Sequence, residues 1–201
     1  MAKQSAVSRP NLRERRRAAI QQEIGERAAE LFESVGFQDT SVEDIASAVG
    51  VSLRTFYRHC PSKEEALVPL LRLGTQALVA TMRERPADES LPHSARIALL
   101  AAARTSQETD LRRIVRVMMA EPALRSGWLS SVRATEEELA PMVAERLNWP
   151  IEDARAVAVA GALVSVTTAS MEHWATRTDD PSLEDVVSHV FSGVEQALCP
   201  R

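Results

Sequence analysis

Five side chains that suit contact with a polyanion crowd one short stretch of the sequence, VSLRTFYRHCPSKEEAL. They are Arg54, Tyr57, Arg58, His59 and Lys63. Arginine and lysine neutralise phosphates, while tyrosine and histidine can donate hydrogen bonds to phosphate oxygens. The whole chain carries a formal net charge of −4, so this stretch is a basic segment of an acidic protein. The residue types therefore predict a surface that contacts phosphates.

Charge is distributed unevenly along the chain. Residues 1–63 hold ten Lys and Arg against eight Asp and Glu, whereas residues 64–201 hold 14 against 20. The first twenty residues contain a single acid, Glu14, and six basic residues: Lys3, Arg9, Arg13, Arg15, Arg16 and Arg17. The two regions are expected to face different partners, and a basic arm of this composition is typical of a tail that binds polyanions.

Helix signals before the basic stretch predict two helices. Apolar residues at helical spacing predict a first helix over 12–35, which Gly36 is placed to end. Thr40 with Glu43 predicts a capping box that opens a short second helix. Gly50 breaks that helix and starts a turn of about three residues.

The basic stretch itself is predicted to form a third helix and the start of a fourth. Ser52 can cap a helix over 53–59, and Ser62 with Glu65 predicts another capping box after it. Segment 41–59 therefore has the helix-turn-helix pattern. Spacing turns Val51 and Phe56 toward the core and leaves the following side chains outward: Arg54, Thr55, Tyr57 and Arg58.

Two interpretations of this helical pair stay open from the residues alone. A basic arm and outward Arg, Thr and Tyr side chains favour duplex DNA as the partner. Helix N-termini offer free N–H groups to phosphates, and the second helix of such a pair fits the major groove. An ordinary pair of antiparallel helices with a solvated charged face explains the same spacing.

The remainder of the chain predicts helices only. Aromatic residues make up 4% of the sequence and glycine totals seven, a composition that favours helix over sheet. Further helices are expected at 64–84, 92–104, 107–120, 123–147, 151–176 and 182–198. We therefore predict an all-α protein of about nine helices.

Several functional classes have no support in the sequence. Catalytic motifs and metal-ligand spacing are missing, so we expect no enzyme, no metal and no cofactor. Cys60 and Cys199 form no CxxC pair, which favours a reducing cytoplasm. No secretory signal is apparent, and the charge-free run 156–171 is short for a membrane span, so it is interpreted as a buried helix.

The run AAELFESVGFQDTSVEDIASAVGVSLRTFYRHCPSKEEAL resembles the N-terminal domain of the TetR family of transcriptional repressors. The resemblance is carried by ELFESVGF, TSVEDIA, AVGVS, TFYRH and PSKEEAL. It implies an arm and DNA-binding domain over 1–62, and a ligand-binding and dimerisation domain over 63–201. It also implies a homodimer that binds a palindromic operator on double-stranded DNA and is released by a ligand. The rival hypothesis is a small-molecule-binding protein or enzyme that merely retains the fold.

The resemblance assigns roles to individual positions. It implies phosphate contacts for Thr40, Ser41, Tyr57, His59 and Lys63. At the front of the third helix it places Ser52, Leu53, Arg54 and Thr55. Arg54 is expected to read a base edge, a guanine in first place, and Arg58 to reach backbone or base. Cys60 stands where the family often has Phe. It is expected to be a buried, inert thiol, with a redox role as the alternative.

The resemblance also suggests functions for the acidic remainder. The last two helices would pair across a two-fold axis into a four-helix bundle, whereas an extra core helix is the alternative. A largely apolar cavity for an unknown small-molecule effector would be lined by Met82, Met118, Met119, Trp128, Met171, His173, Trp174 and Phe191. Plain core filling explains the same residues.

A second, fainter resemblance concerns the ligand. The stretch AEPALRSGWLSSVRATEEELAPMVAERL is similar to the C-terminal domain of actinobacterial TetR proteins thought to sense acyl-CoA-like molecules. It implies Arg116, Arg125 and Arg133 as cations for a phosphate-bearing ligand. A solvated helical face explains these arginines equally well.

Overall fold

The computed structural model describes residues 11–106 and 110–198, the side chain of Leu198 excepted. Within these ranges the chain forms nine α-helices and one 3₁₀ turn, and no strand occurs. The predicted all-α fold is thus confirmed. The arm residues Lys3 and Arg9 and the thiol of Cys199 lie outside the described residues.

Three helices, one long and two short, form the first of two compact units. They are α1 (Leu12–Ser34), α2 (Val42–Val49) and α3 (Leu53–His59), and a 3₁₀ turn (Lys63–Glu65) follows. Their core consists of fully buried apolar side chains: Ile24, Ala28, Ile45, Phe56 and Leu67. The units divide between Pro69 and Leu70, seven residues after the domain boundary predicted at residue 62.

The first turns of α1 project from this core. Asn11 caps the helix, because its side-chain oxygen accepts hydrogen bonds from the backbone N–H groups of Arg13 (2.9 Å) and Glu14 (3.0 Å). Glu14 in return accepts from the backbone N–H of Asn11 at 2.8 Å, which completes a capping box. Residues 12–19 are all exposed. Local capping, rather than burial, therefore holds the beginning of α1.

Two predicted capping boxes are wrong. The N-cap of α2 is Ser41 and not Thr40, and its partner is Asp44 and not Glu43. The hydroxyl of Thr40 instead donates to the carbonyl of Gly36 at 2.7 Å. Ser62 makes no side-chain cap, and the chain forms a 3₁₀ turn after it.

The second unit contains the remaining helices. The long helix α4 (Val68–Glu84) enters it from the first unit. The others are α5 (Leu91–Thr105), α6 (Leu111–Ala120), α7 (Pro122–Arg146), α8 (Ala154–Thr176) and α9 (Leu183–Leu198). Pro69 is the second residue of α4, a position where a missing backbone N–H costs no helical hydrogen bond.

Helix α8 lies at the centre of the second unit. It packs against α5, α6, α7 and α9. By length and composition α8 could cross a membrane. However, ten of its 23 residues are buried within the unit, so the same apolar character is accounted for by a core helix.

Helix α4 comes very close to the C-terminal end of α5 at Gly74. A Cβ atom on Gly74 would lie 2.6 Å from the hydroxyl oxygen of Ser106 and 3.4 Å from the carbonyl oxygen of Ala102. That hydroxyl is buried and donates to the carbonyl of Ala102 at 2.9 Å. Only glycine therefore fits this position of α4 without movement of its neighbours.

Candidate nucleic-acid interface

Helix α3 is held at a fixed angle to α2 by the turn between them. Gly50 adopts a left-handed backbone conformation (φ 76°), which glycine accepts without steric cost, and its N–H bonds to the end of α2. Ser52 then caps α3: its hydroxyl oxygen accepts from the backbone N–H of Thr55 at 3.2 Å. The predicted third helix and its cap are confirmed.

One face of α3 is open to solvent. Phe56 is fully buried, which anchors the helix on the core. Leu53 and Tyr57 are 39% and 52% exposed, large values for apolar and aromatic side chains. Arg54 and Arg58 are exposed as well, and Thr55 is partly exposed. Thus α3 presents the side chains that were expected to face outward.

A groove of about 420 Å³ connects the start of α2 with the end of α3. Its wall contains Thr40, Ser41, Val42, Tyr57, Pro61, Ser62, Lys63 and Glu64. The first N–H groups of a helix have no partners inside the helix, so the start of α2 adds positive partial charge to this groove. The structure therefore brings Thr40, Ser41, Tyr57 and Lys63 together.

Lys63 has a structural role that the sequence did not indicate. Its ammonium group donates to the backbone carbonyls of Phe37 (2.7 Å) and Thr40 (2.8 Å) and lies 4.2 Å from the centroid of the Phe37 ring. Lys63 thus fixes the loop that leads into α2. An ammonium has three donors, so one N–H remains for a phosphate.

Thr40 and His59 are less accessible than the phosphate role implies. Thr40 is 2% exposed, and its hydroxyl is engaged with Gly36. His59 is 9% exposed and its Nδ1 has no hydrogen-bond partner. The backbone carbonyl of His59 accepts a hydrogen bond from Gln21 of α1 at 2.9 Å. Both side chains are therefore placed to support the surface rather than to form it.

Burial sets the protonation of the two residues at the end of α3. Burial of the His59 ring lowers its pKa below 6.5, and the charges of Arg58 and Arg17 lower the pKa further. Burial of Cys60 raises the pKa of its thiol to about 12, although a hydrogen bond with the backbone of Ser62 acts in the opposite direction. His59 is therefore neutral at neutral pH and Cys60 is a thiol, as its predicted burial implied.

Arginines of the two units differ in whether a carboxylate neutralises them. Among the described residues between positions 11 and 69, only Arg27 of seven arginines forms an ion pair, with Glu30. Nine arginines of the second unit form ion pairs: Arg85, Arg96, Arg104, Arg112, Arg113, Arg125, Arg133, Arg155 and Arg177. Positive charge available to a partner is therefore concentrated in the first unit.

Most of the residues predicted to line an effector cavity belong to the core of the second unit. Met118, Trp128 and Met171 are at most 2% exposed, on the mutually packed helices α6, α7 and α8. Met82 lines a cleft of about 190 Å³ together with Arg83, Arg85, Ala87, Met142, Glu145 and Arg146. The other predicted residues do not border that cleft. Core filling, the alternative from sequence, describes the buried members in this conformation.

The polar candidates for effector binding lie at or near the surface. Arg125 pairs with Glu172 at 3.2 Å and Arg133 pairs with Glu136 at 2.6 Å. Arg116 and His173 are exposed, and Met119 is partly exposed. Within residues 11–106 and 110–198, no group of His, Cys, Asp and Glu side chains could hold a metal ion.

Trp174 is fixed to the turn after α8. Its indole N–H donates to the carbonyl of Pro181 at 2.9 Å, and the guanidinium of Arg112 lies 4.5 Å from the ring centroid. Arg112 also donates to Asp180 and to the carbonyl of Pro181. These contacts hold the connection between α8 and α9.

Comparison with known proteins identifies the family. The model for the MftR C-terminal domain matches residues 89–199, and the model described as "Bacterial regulatory proteins, tetR family" matches residues 24–68. The chain belongs to the TetR family. It is therefore a DNA-binding transcriptional regulator, and dimerisation and ligand-relieved repression are typical of this family.

Two relatives of this TetR-family chain extend over most of its length. MftR of Mycobacterium tuberculosis, named for transcriptional regulation of mycofactocin biosynthesis, is 31% identical over 192 residues, which cover 92% of this chain and 93% of MftR. The HTH-type transcriptional regulator TcmR of Streptomyces glaucescens is 31% identical over 158 residues, covering 74% of this chain and 70% of TcmR. Both relatives are transcriptional regulators.

Solved structures share the fold at lower identity. A TetR-like transcriptional regulator from Rhodococcus sp. RHA1 superposes with a TM-score of 0.56 at 19% identity, covering 96% of this chain and 100% of that one. GusR of Salmonella enterica gives a TM-score of 0.55 at 18% identity, covering 90% and 95%. These similarities bear on the fold alone.

Two parts of the interface were missed by sequence reasoning. The ring of Phe37 beneath Lys63 gave no signal, because the contact joins residues 26 positions apart. The exposed α1 arginines at positions 13, 16 and 17 were assigned only to a basic arm. Their i, i+3, i+4 spacing, which puts them on one helical face, was the signal that could have found them.

Proposed function

We propose that the first unit recognises one half of a palindromic operator by placing α3 in the major groove. Ser52, Leu53, Arg54 and Thr55 form the front of α3, and Arg54 reads a guanine through a bidentate hydrogen bond. The observation that carries this proposal is the exposed face of a capped α3 on which Arg54 has no carboxylate partner among the described residues. A guanidinium in this state loses no ion pair when it binds a base.

Phosphates on one side of α3 are assigned to the groove at the start of α2. Ser41, Tyr57 and the third N–H of Lys63 are the donors, together with the first backbone N–H groups of α2. We assign Thr40 and His59 to positioning roles, since both are buried. Arg58 is exposed and reaches backbone or base.

Binding to fluorescent duplexes, after selection of the preferred sequence from genomic fragments, tests the operator proposal. Arg54→Ala is expected to cost about 1–3 kcal/mol at one base pair and to relax preference there. Arg27→Ala is the matched control, because it removes an arginine of the same unit that pairs with Glu30. If no fragment binds better than bulk DNA, the operator proposal fails and the rival, a carrier or enzyme that retains the fold, is favoured.

We propose that the chain acts as a homodimer through α8 and α9. The exposed side chains of α8 include Ala158, Ala162, Ser165 and Ala169, whose i, i+4, i+7, i+11 spacing places small residues along one face. On α9, Val190 and Val194 remain partly exposed in the single chain. Small residues allow backbones to approach closely, and the two valines supply apolar area.

Sedimentation velocity at micromolar concentration tests the dimer. Ala162→Arg is expected to yield a monomer, because it puts a long charged side chain into the proposed contact. Ala120→Arg, at an exposed alanine of α6, makes the same chemical change elsewhere and should leave the dimer intact. A monomeric wild-type protein, or equal effects of the two variants, would contradict the proposed interface.

In the proposed dimer, the two copies of α3 would lie about 34–36 Å apart when both are bound to the operator.

We further propose that a small molecule binds in the second unit and thereby releases the protein from its operator. We also propose that the protein works in the cytoplasm and does not catalyse a reaction. The buried Met and Trp cluster of α6, α7 and α8 is the apolar element, and Arg116, Arg125 and Arg133 are candidate cations for a phosphate. The stretch AEPALRSGWLSSVRATEEELAPMVAERL, with its resemblance to TetR proteins thought to sense acyl-CoA-like molecules, supports a ligand of that class. Because the cluster is closed, entry requires the helices to separate.

Titration of a protein–operator complex with acyl-CoA, coenzyme A and free fatty acid tests the ligand class. A ligand that favours the non-binding conformation lowers operator affinity by its ratio of affinities for the two states. The acyl-CoA proposal predicts release by the thioester but not by either fragment alone. Unchanged operator affinity in all three titrations would refute it.

A further inference from the structure

A second cleft in the first unit lies between the beginning of α1 and the end of α3. Its volume is about 550 Å³, and it is lined by Arg13, Arg16, Arg17, Ile20, Arg58 and His59. The α1 residues follow i, i+3, i+4, i+7 spacing and therefore share one face of that helix. Arg58 and His59 approach this face from α3.

The positive charge of this cleft is uncompensated in the free protein. Arg13, Arg16, Arg17 and Arg58 are exposed, and none of them contacts a carboxylate of the described residues. Glu14, the only acid nearby in sequence, is engaged in the cap of α1. Like charges three or four positions apart destabilise a helix by about 0.2–0.5 kcal/mol per pair. The exposed start of α1 is thus a place where bound anions would be stabilising.

The His59 ring forms one wall of the cleft and lies beside two of its arginines. The ring is buried, and two arginines of the cleft, Arg58 and Arg17, contribute to lowering its pKa. Arg58 Nη2 lies 3.5 Å from Nε2 of the ring. The ring stays neutral, so the charge of the cleft comes from the four guanidinium groups alone.

The cleft and the groove at the start of α2 flank α3. Tyr57 lines the groove, whereas His59 lines the cleft, and residues two apart on a helix point about 200° apart. A seven-residue helix is about 10 Å long, close to the 12 Å width of the major groove. If α3 lies across that groove, its end therefore approaches a phosphate backbone.

We propose that the cleft between α1 and α3 binds a backbone phosphate of duplex DNA through Arg13, Arg16, Arg17 and Arg58. Guanidinium groups match phosphate oxygens with paired hydrogen bonds, which makes a cluster of them a suitable site. This inference rests on the proposed DNA recognition and extends it. The contacted strand lies on the side of α3 that faces away from Lys63.

Salt dependence of operator binding, measured by fluorescence anisotropy on the full chain, tests the proposal. Arg17→Gln is expected to reduce the slope of log K against log salt concentration by about 0.9, the value for one phosphate contact, with the same preferred sequence. Arg15→Gln is the matched control, because Arg15 is exposed on the same turns of α1 but does not line the cleft. Both variants remove one charge from almost the same place.

The combined variant Arg13→Gln, Arg16→Gln and Arg17→Gln should reduce the slope further than any single change, with unchanged helical content by circular dichroism. Equal slopes for Arg15→Gln and Arg17→Gln would overturn the proposal, because the arginines would then act only as diffuse charge. A wild-type protein that binds no duplex would refute the proposed function itself. The two failures are therefore distinguishable.

Inorganic phosphate distinguishes a free anion from DNA as the occupant. The nuclear magnetic resonance signals of the His59 ring can be followed during titration with phosphate and, separately, with operator DNA. The proposal predicts a shift with DNA at concentrations where inorganic phosphate has no effect. A shift with phosphate at low concentration and none with DNA would assign the cleft to a free anion and overturn the DNA assignment.

Discussion

Replacement of Lys63 by methionine tests whether the loop before α2 is held by a single side chain. Lys63→Met keeps the aliphatic stem and removes the ammonium that donates to Phe37 and Thr40 and lies over the Phe37 ring. Charge-assisted hydrogen bonds contribute about 1.5–3 kcal/mol, and an exposed cation–π contact contributes about 0.5–1 kcal/mol. Because Lys63 is only partly buried, water can replace part of these contacts.

We therefore count only one of the two hydrogen bonds, at about 1.5 kcal/mol, with about 0.5 kcal/mol for the cation–π contact, and expect a loss of about 2 kcal/mol in the free energy of unfolding. For a chain of this length, 1 kcal/mol corresponds to about 2–4 °C in Tm, so a decrease of about 4–8 °C is expected in thermal unfolding followed by circular dichroism. Arg27→Met removes an exposed ion pair of the same unit and should change Tm by less than about 2 °C. Equal Tm values for the two variants would refute the structural role of Lys63.

Three further predictions concern single positions. Because the pKa of His59 is lowered in the fold, the unfolded chain takes up a proton first, so stability should fall as pH drops below about 6.5. His59→Asn should weaken that dependence in urea titrations, whereas the exposed-site variant His173→Asn should not. Gly74→Ala should lower Tm by about 2–4 °C, since its methyl group collides with a serine hydroxyl; an unchanged or raised Tm would contradict the close approach. In a Cys199→Ser background, Cys60 should resist alkylation at pH 8 until urea is added, because its pKa is about 12.

Much of the fold was predictable because the residues that begin and end its helices act locally. Gly36 and Gly50 both adopt positive φ angles where the sequence predicted helix ends. Pro122 opens α7, between the helices predicted at 107–120 and 123–147. Most predicted boundaries from α5 onward agree with the structure within a few residues. Such signals act through backbone geometry and need no knowledge of distant contacts.

The errors occurred where a distant partner decides between similar residues. Thr40 and Ser41 are adjacent candidates for the same cap, each followed three residues later by an acid. Thr40 bonds to Gly36 and becomes buried, so Ser41 is left to cap α2. The burial of His59 also depends on α1, which supplies Gln21 to its carbonyl. The spacing of residues along α2 or α3 does not indicate these contacts, because their partners lie outside those helices.

The candidate ligand site was the least predictable part. Met118, Trp128 and Met171 have the same residue types and spacing whether they fill a core or line a cavity. In the structure they are packed and buried. The arginines that suit a phosphate also suit ion pairs between neighbouring residues, and Arg125 and Arg133 form such pairs. Sequence pattern alone cannot separate these cases, since the difference lies in three-dimensional packing.

The close approach of Gly74 to Ser106 limits how α4 can move. Rotation of α4 by one residue would bring Leu73 or Thr75 to a point where even a methyl group lies 2.6 Å from the hydroxyl of Ser106. Rotation of α4 about its own axis is therefore opposed at this point by a steric clash. Displacement of α4 at this point therefore requires the side chain of Ser106 to move as well.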